Sequence, residues 1–342
     1  MAATTSTIGT GLNYTTIAAW EDFQDGNPDN QDTGYCAAEV FAAVAFNGGT
    51  YTATNYPHLT AAIGAEHDGR AHEVSAAGNA RIESAANANL IYLVDEFVRI
   101  SWLEIKGPGD YSIACILLTV LSTCTSHIHH CIVHNSYPTR TGNDGIYLND
   151  ADGTYCVYRN IVYGHYAAGI RTLAGGANSA ILCNTVYYNS YPGVTAGIRN
   201  AVATSVIKDN ASFANVNKDF YDTYGVMDYN ASADTTADAE GANSIADLTT
   251  ANQFVAPTTT WAETDLLLKA GADIIAEGVD LSGDVGTYPE INVSIRNGAT
   301  RATITGAWDI GADQYVAVAA GGHPTMKRFG GVEFCCMNKG IW

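Results

Sequence analysis

The chain has 342 residues, 47% of them apolar and only 15% charged, and its 35 acidic against 16 basic groups give a formal net charge of -19. So acidic a chain is repelled by nucleic acid and by anionic membrane surfaces, and neither is an expected partner. Its longest apolar stretch, Ile113 to Leu121, falls far short of the roughly 20 residues that span a bilayer as a helix.

Met1 to Ile8 carries no basic residue and no apolar core, which does not read as a secretory signal. From Thr7 to Asp22 the glycines and Asn13 mark turns, and Thr15 or Thr16 can cap a short helix with Ile17 and Trp20 on one face. Such a helix covers the open end of a stacked core and blocks an exposed strand edge. Short strands such as Glu39 to Phe46 and His58 to Ile63 follow. Residues 1–81 are therefore expected to be an N-terminal cap with first, irregular rungs, and regular stacking is expected from near Ile82.

Between Val98 and Ser232 one pattern returns. Segments starting at Ile100, Ile128, Val157, Ile181, Ile207 and Met227 each place a turn-tolerant or small residue at the fourth position: Leu103, Cys131, Asn160, Asn184, Asn210 and Asn230. These stand 28, 29, 24, 26 and 20 residues apart, and a second column, Gly145-Ile146, Gly169-Ile170 and Gly197-Ile198, recurs in phase at 24 and 28. A period of this length defines a solenoid whose repeats must stack to bury their apolar faces. Alternation within runs rich in Val, Ile, Thr and Tyr makes each repeat a set of strands, hence a parallel β-helix in preference to a sandwich. The Asn column is expected at a tight corner, because Asn tolerates left-handed backbone and bonds to local backbone groups.

Eight cysteines are present without a Cys-x-x-Cys pair or a zinc spacing. Cys115, Cys131, Cys156 and Cys183 lie in or beside strand runs, where a free thiol packs as a small apolar group. They imply folding in a reducing cytoplasm.

After an acidic loop, Ala233 to Gly241, come Leu266 to Leu281 and the ending Trp308-Asp309-Ile310-Gly311-Ala312-Asp313-Gln314-Tyr315. With the opening Ile8 to Asp22, these segments resemble a large family of right-handed parallel β-helix proteins related in fold to pectate lyases, common among bacterial surface proteins and bacteriophage proteins. The resemblance implies an all-β fold, with residues 82–315 as the helix, and no chemistry of its own.

Residues 316–342 lose the strand alternation and turn locally basic. Their Lys327-Arg328-Phe329-Gly330-Gly331 run and final Trp342 resemble the ends of phage virion proteins. That similarity implies an extended anchoring tail that uses Met326, Lys327, Arg328, Phe329, Phe334, Ile341 and Trp342 to grip other virion proteins of capsid or tail.

Candidate sites are few. Strand alternation puts His127 and His129 on the outer face, two imidazoles able to share a metal, but no carboxylate or Cys completes the set, and surface histidines are the expectation. A glycoside hydrolase needs two carboxylates, and the outward column through Tyr147, Arg171 and Arg199 has none, while the corner column His130, Arg159, Cys183, Asp209, Tyr229 has one. Asn143-Asp144-Gly145 is similar to part of a polygalacturonase site, without its companion motifs. Lyases of the resembled family use calcium-holding acids and a basic residue. Asp144, Asp150 and Asp152 near Arg171 and Arg199 fit that use, so Asp144, Arg171 and Arg199 are the catalytic candidates. Tyr147, Arg171 and Arg199 are equally a ligand-binding set for an acidic sugar. No cofactor is implied.

Three functions stay open. The first is a structural, surface-displayed virion component, assembled in the host bacterial cytoplasm, monomeric or a homo-trimer, attached through its tail and able to bind glycans. The second is a polysaccharide lyase or hydrolase, and the third a sugar-binding adhesin at the cell surface or outside the cell.

Overall fold

The computed structural model describes residues 4–27, 31–71, 79–84, 88–107, 114–119, 125–136, 143–149, 153–173, 179–189, 196–222, 225–237, 241–259, 264–295, 303–315, 328–329 and 332–333. Three parallel sheets carry the chain, each receiving one strand per coil. The first has nine strands from Thr4–Ile8 to Val226–Asp228, the second eight from Val40–Phe41 to Ala231–Ser232, and the third seven from Val44–Phe46 to Lys218–Tyr221. Ile100, Ile128, Val157, Ile181, Ile207 and Met227 stand in one register, as do Ile146, Ile170, Ile198 and Phe220. Each is 4% exposed or less, so both columns form a continuous interior. The glycine column lies where this interior is narrowest. A Cβ on Gly145 would stand 2.6 Å from Val162 Cγ1 of the second sheet, and one on Gly169 2.5 Å from Val186 Cγ1.

The corner between the first and second sheets differs from expectation by one residue. The left-handed conformation falls on Trp102, His130, Arg159, Cys183, Asp209 and Tyr229, with φ between 53° and 59°, and the Asn residues follow it. The Asn side chains instead run a ladder through the core side of the turn. Cys131 N–H donates to Asn160 Oδ1 at 2.9 Å, Asn160 N–H to Asn184 Oδ1 at 3.0 Å, Asn184 N–H to Asn210 Oδ1 at 3.0 Å and Asn210 N–H to Asn230 Oδ1 at 3.0 Å. Each Asn amide also donates to a carbonyl one coil back, that of Ile128, Val157, Ile181 or Ile207. A strand corner leaves peptide groups without ladder partners, and these side chains satisfy them inside the protein. A shorter ladder at another corner joins His165 N–H to Asn189 Oδ1 and Asn189 N–H to Asn215 Oδ1.

At the N-terminal end the helix Ile17–Asp25 begins at Thr16, whose hydroxyl accepts Ala19 N–H at 3.1 Å. It replaces the second- and third-sheet strands of the first coil, and its Ile17 and Trp20 enter the same core cluster as the strands above. The parallel ladder starts at Thr4 and runs through the rungs that precede Ile82.

The other end also departs from expectation: the last ladder strand is Ala231–Ser232, so residues 82–315 are not coil throughout. The later segment lies against the outside of the coil. Phe254, Leu266, Leu268, Ile274, Ile295 and Ile310 pack on outward side chains of the second sheet such as Ile132, Tyr163, Tyr187 and Phe213. Leu281, Ile291, Ile304 and Trp308 pack on Cys156, Tyr158, Ala180 and Leu182 of the first. The reason is compositional, since those strands are apolar on both faces and need a cover. The left-handed corner residues fasten it. Asp209 Oδ1 accepts Val279 N–H at 2.9 Å, Arg159 donates to the carbonyls of Ile291 at 2.9 Å and Gly311 at 3.0 Å, and His130 Nε2 donates to that of Val293 at 2.7 Å. Cys36, Cys115, Cys131, Cys156 and Cys183 are buried free thiols, and burial pushes the last four up to about 12.

Candidate functional site

With the first and second sheets covered, the outward side chains of the third sheet stay partly exposed, Leu117 apart. Register places Tyr92, Leu117, Tyr147, Arg171, Arg199 and Tyr221 in one outward column. All but Leu117 are half-buried, lying along the sheet instead of standing away from it. The Arg171 guanidinium sits 4.6 Å from the Tyr147 ring centre, and that of Arg199 5.6 Å from Tyr221, where Lys218 Nζ also approaches to 5.0 Å. Rungs are ~4.8 Å apart, so the five steps from Tyr92 to Tyr221 make a strip roughly 24 Å long.

Each arginine has a carboxylate. Arg171 Nη1 lies 3.3 Å from Asp144 Oδ2, and Arg199 donates to Asp222 Oδ2 from Nε at 3.1 Å and Nη2 at 2.9 Å. Asp144 is 1% exposed and its Oδ1 accepts Ala168 N–H at 2.9 Å. Burial lifts its pKa to about 6, partly offset by Arg171. Among the described residues of this strip the two carboxylates belong to rungs three steps apart, roughly 14 Å by rung spacing. Glycoside hydrolysis uses acids roughly 5 to 9.5 Å apart, and this pair does not frame a bond.

The structure thus brings Asp144 to Arg171 and stacks Arg171 on Tyr147, whereas Arg199 pairs with Asp222. Asp150 and Asp152 lie outside the described residues. Tyr92, Tyr221, Lys218 and Asp222 were missed by sequence reasoning. The signal was there, because Arg199 to Tyr221 is one more step of nearly the same spacing.

The histidines need correction. His127 and His129 do point outward, but they are 4% and 1% exposed, because the C-terminal segment covers them. The His129 ring stacks on Tyr158 at 4.8 Å, and burial pushes the His127 pKa down to about 3 and that of His129 well below its usual value. The pair does not converge on a common point. His129 meets His130 and Glu290 instead, with 2.9 Å between the two Nδ1 atoms and 4.0 Å from His129 Nδ1 to Glu290 Oε2. The left-handed turn at His130 swings its ring to the side of its neighbour. His130 Nε2 donates to Val293, so its Nδ1 accepts from His129, and Trp102 Nε1 donates to Glu290 Oε2 at 2.8 Å. Neutral imidazoles satisfy this network without a metal.

Of the tail, Arg328–Phe329 pairs antiparallel with Val332–Glu333, and the other expected anchoring residues, Met326, Lys327, Phe334, Ile341 and Trp342, lie outside the described residues.

The architecture is that of a pectate-lyase-like parallel β-helix. No family model and no curated protein sequence matches the chain. A crystal structure of pectate lyase Pel9A matches it with a TM-score of 0.51 at 11% identity, over 92% of this chain and 96% of that one. At this identity the likeness is one of fold.

Proposed function

We propose that the chain binds an extended glycan lengthwise along the outer face of its third sheet. The observation that carries this reading is the in-register column from Tyr92 to Tyr221, whose tyrosines and arginines are half-buried and lie along the sheet. Sugar rings offer apolar C–H faces to aromatic rings and hydroxyls to planar polar groups, and the strip supplies both at rung spacing. Arg171 and Arg199 are each paired with a carboxylate and the whole chain carries -19, so long-range attraction for a polyanion is absent. The strip therefore favours a neutral glycan over an acidic one, and a binding role over cleavage. The virion reading rests on the tail, and no contact among the described residues favours it.

Affinity electrophoresis of the full chain in neutral and acidic polysaccharides tests this. Retardation by a neutral glycan should persist at 0.5 M salt and weaken about fivefold for each of Tyr147→Ala and Arg171→Ala, at roughly 1 kcal/mol per contact. Retardation only by acidic glycans, or none, would discard the reading. Release of unsaturated sugars from an acidic polysaccharide with calcium, lost in Arg171→Ala, would make the chain a lyase instead.

A further inference from the structure

The N-terminal helix carries a charge arrangement that its sequence and fold both disfavour. Glu21 and Asp25 stand four residues apart on one face, a like-charge pair that destabilises a helix. Asp25 is also the last helical residue, beside the negative end of the helix dipole, and no basic residue lies in that last turn. The fold then adds Asp95, from the loop after the third-sheet strand Ile91–Leu93, so that oxygens of all three carboxylates lie within 4.8 Å of one another.

Two of these groups are buried and Asp25 is partly so. Glu21 is 5% exposed and Asp95 4%. Glu21 Oε1 accepts Asn47 N–H at 3.0 Å, Asp95 Oδ1 accepts Gly48 N–H at 2.8 Å, and Tyr51 OH donates to Asp25 Oδ1 at 2.9 Å. Asp95 Oδ2 is buried and has no hydrogen bond of normal geometry among the described residues, although the Gly48 and Gly49 N–H groups both favour the Asp95 carboxylate. Gly48 is held at φ +114°, and a Cβ there would stand 2.8 Å from Asp25 Oδ2, so the loop is shaped to admit this carboxylate. Charges acting on Glu21, Asp25 and Asp95 come from one another, Asp22 and Glu96, with no lysine, arginine or histidine among them. A buried carboxylate oxygen without a donor, set among three acids with no basic side chain against them among the described residues, is costly unless a positive charge meets it.

We infer that Glu21, Asp25 and Asp95 form a calcium site that locks the N-terminal helix onto the first coils. An all-oxygen set of carboxylates suits a hard divalent cation. Calcium accepts irregular geometry, whereas magnesium demands a near-ideal octahedron and sheds its water reluctantly. The role is structural: the ion joins the helix to the third-sheet edge, away from the midpoint of the tyrosine–arginine strip.

The test uses the full chain stripped with a chelator and then dialysed. Titration with calcium chloride alone should give a one-to-one calorimetric isotherm and raise Tm by at least about 3 °C at saturating ion. Magnesium at the same concentration should do much less. Asp95→Asn should abolish the calcium-dependent shift and leave the chelated Tm equal to or above that of the parent, because it removes a buried repelling charge. A merely structural Asp95 would lower it. Glu21→Gln serves as the second variant and should lose the calcium response as well. No isotherm and no Tm shift up to 10 mM calcium, a shift that survives both substitutions, or an equal response to magnesium would each overturn the assignment.

Discussion

Asn184 shows how one side chain decides whether a corner can be buried. It accepts from Asn160 N–H at 3.0 Å and donates to the Val157 carbonyl at 2.9 Å, all at zero exposure. Asn184→Ala strands both groups, and its cost is expected at roughly 2 to 4 kcal/mol, read as a lower urea midpoint at unchanged slope. A loss under 1 kcal/mol would mean that the ladder is ornamental. The residue before each Asn carries a different burden, the left-handed backbone. Where such a residue also grips the C-terminal segment, as Arg159 does, glycine would relieve the strain and lose the grip. Ala276, exposed at φ 62°, holds the segment only through its backbone, whose N–H donates to Asp309 Oδ1 at 2.7 Å and is kept by glycine, so Ala276→Gly should stabilise by about 0.5 to 1 kcal/mol in the same assay. The sequence displayed the Asn column because four successive corners use the same amide. It hid which position takes the strain, since His, Arg, Cys and Asp there were chosen for what they touch in residues 279–312.

The coil was legible for a related reason: each of its strands repeats the demands of its neighbour, so the demands add up to a period. The segment over residues 241–315 meets each rung only once and has no period to reveal. Its presence was written instead in the outward positions of the first and second sheets, where Tyr158, Tyr163, Leu182 and Phe213 are too apolar to face water. The third-sheet column, with Tyr92, Arg171 and Arg199 outward, lacks that signature and remains open. Arg159 tests the account. It is fully buried, bonds three carbonyls of the segment and lies 4.7 Å from the Trp308 ring. Arg159→Met should loosen the segment by roughly 2 to 4 kcal/mol without unstacking the coil. Limited proteolysis read by mass spectrometry should then cut within residues 264–315 much faster than in the parent, with the far-ultraviolet circular dichroism of the strands unchanged. Cleavage at parental rate would show that apolar cover alone holds the segment.

Taken together, the buried ionisable groups make the stability of the molecule a contest between two opposite pH dependences. Burial raises Asp209 and Asp219 to about 7, the latter with a push from Asp234. The folded chain keeps protons that the unfolded chain sheds near pH 4, so these groups favour folding at low pH, and their contribution is lost as pH rises from about 4 to about 7. Burial lowers His127 and His165 to about 3. Their unfolded forms bind protons below pH 6.5 that the folded forms refuse, so this contribution is complete above pH 6.5 and lost as pH falls towards 3. Between pH 4.5 and 6.5 the two sets act on the same window with opposite sign, and removing a member of either should expose the other. Relative to the parent, Asp219→Asn should gain stability as pH rises through that window, and His165→Gln should gain as it falls, each with a slope of at most about 1.4 kcal/mol per pH unit. Urea midpoints at pH 4.5, 5.5 and 6.5 for the parent and both variants decide it: parallel curves would show that these groups titrate alike in the folded and unfolded chains, and that the buried polar groups of this coil carry no pH dependence.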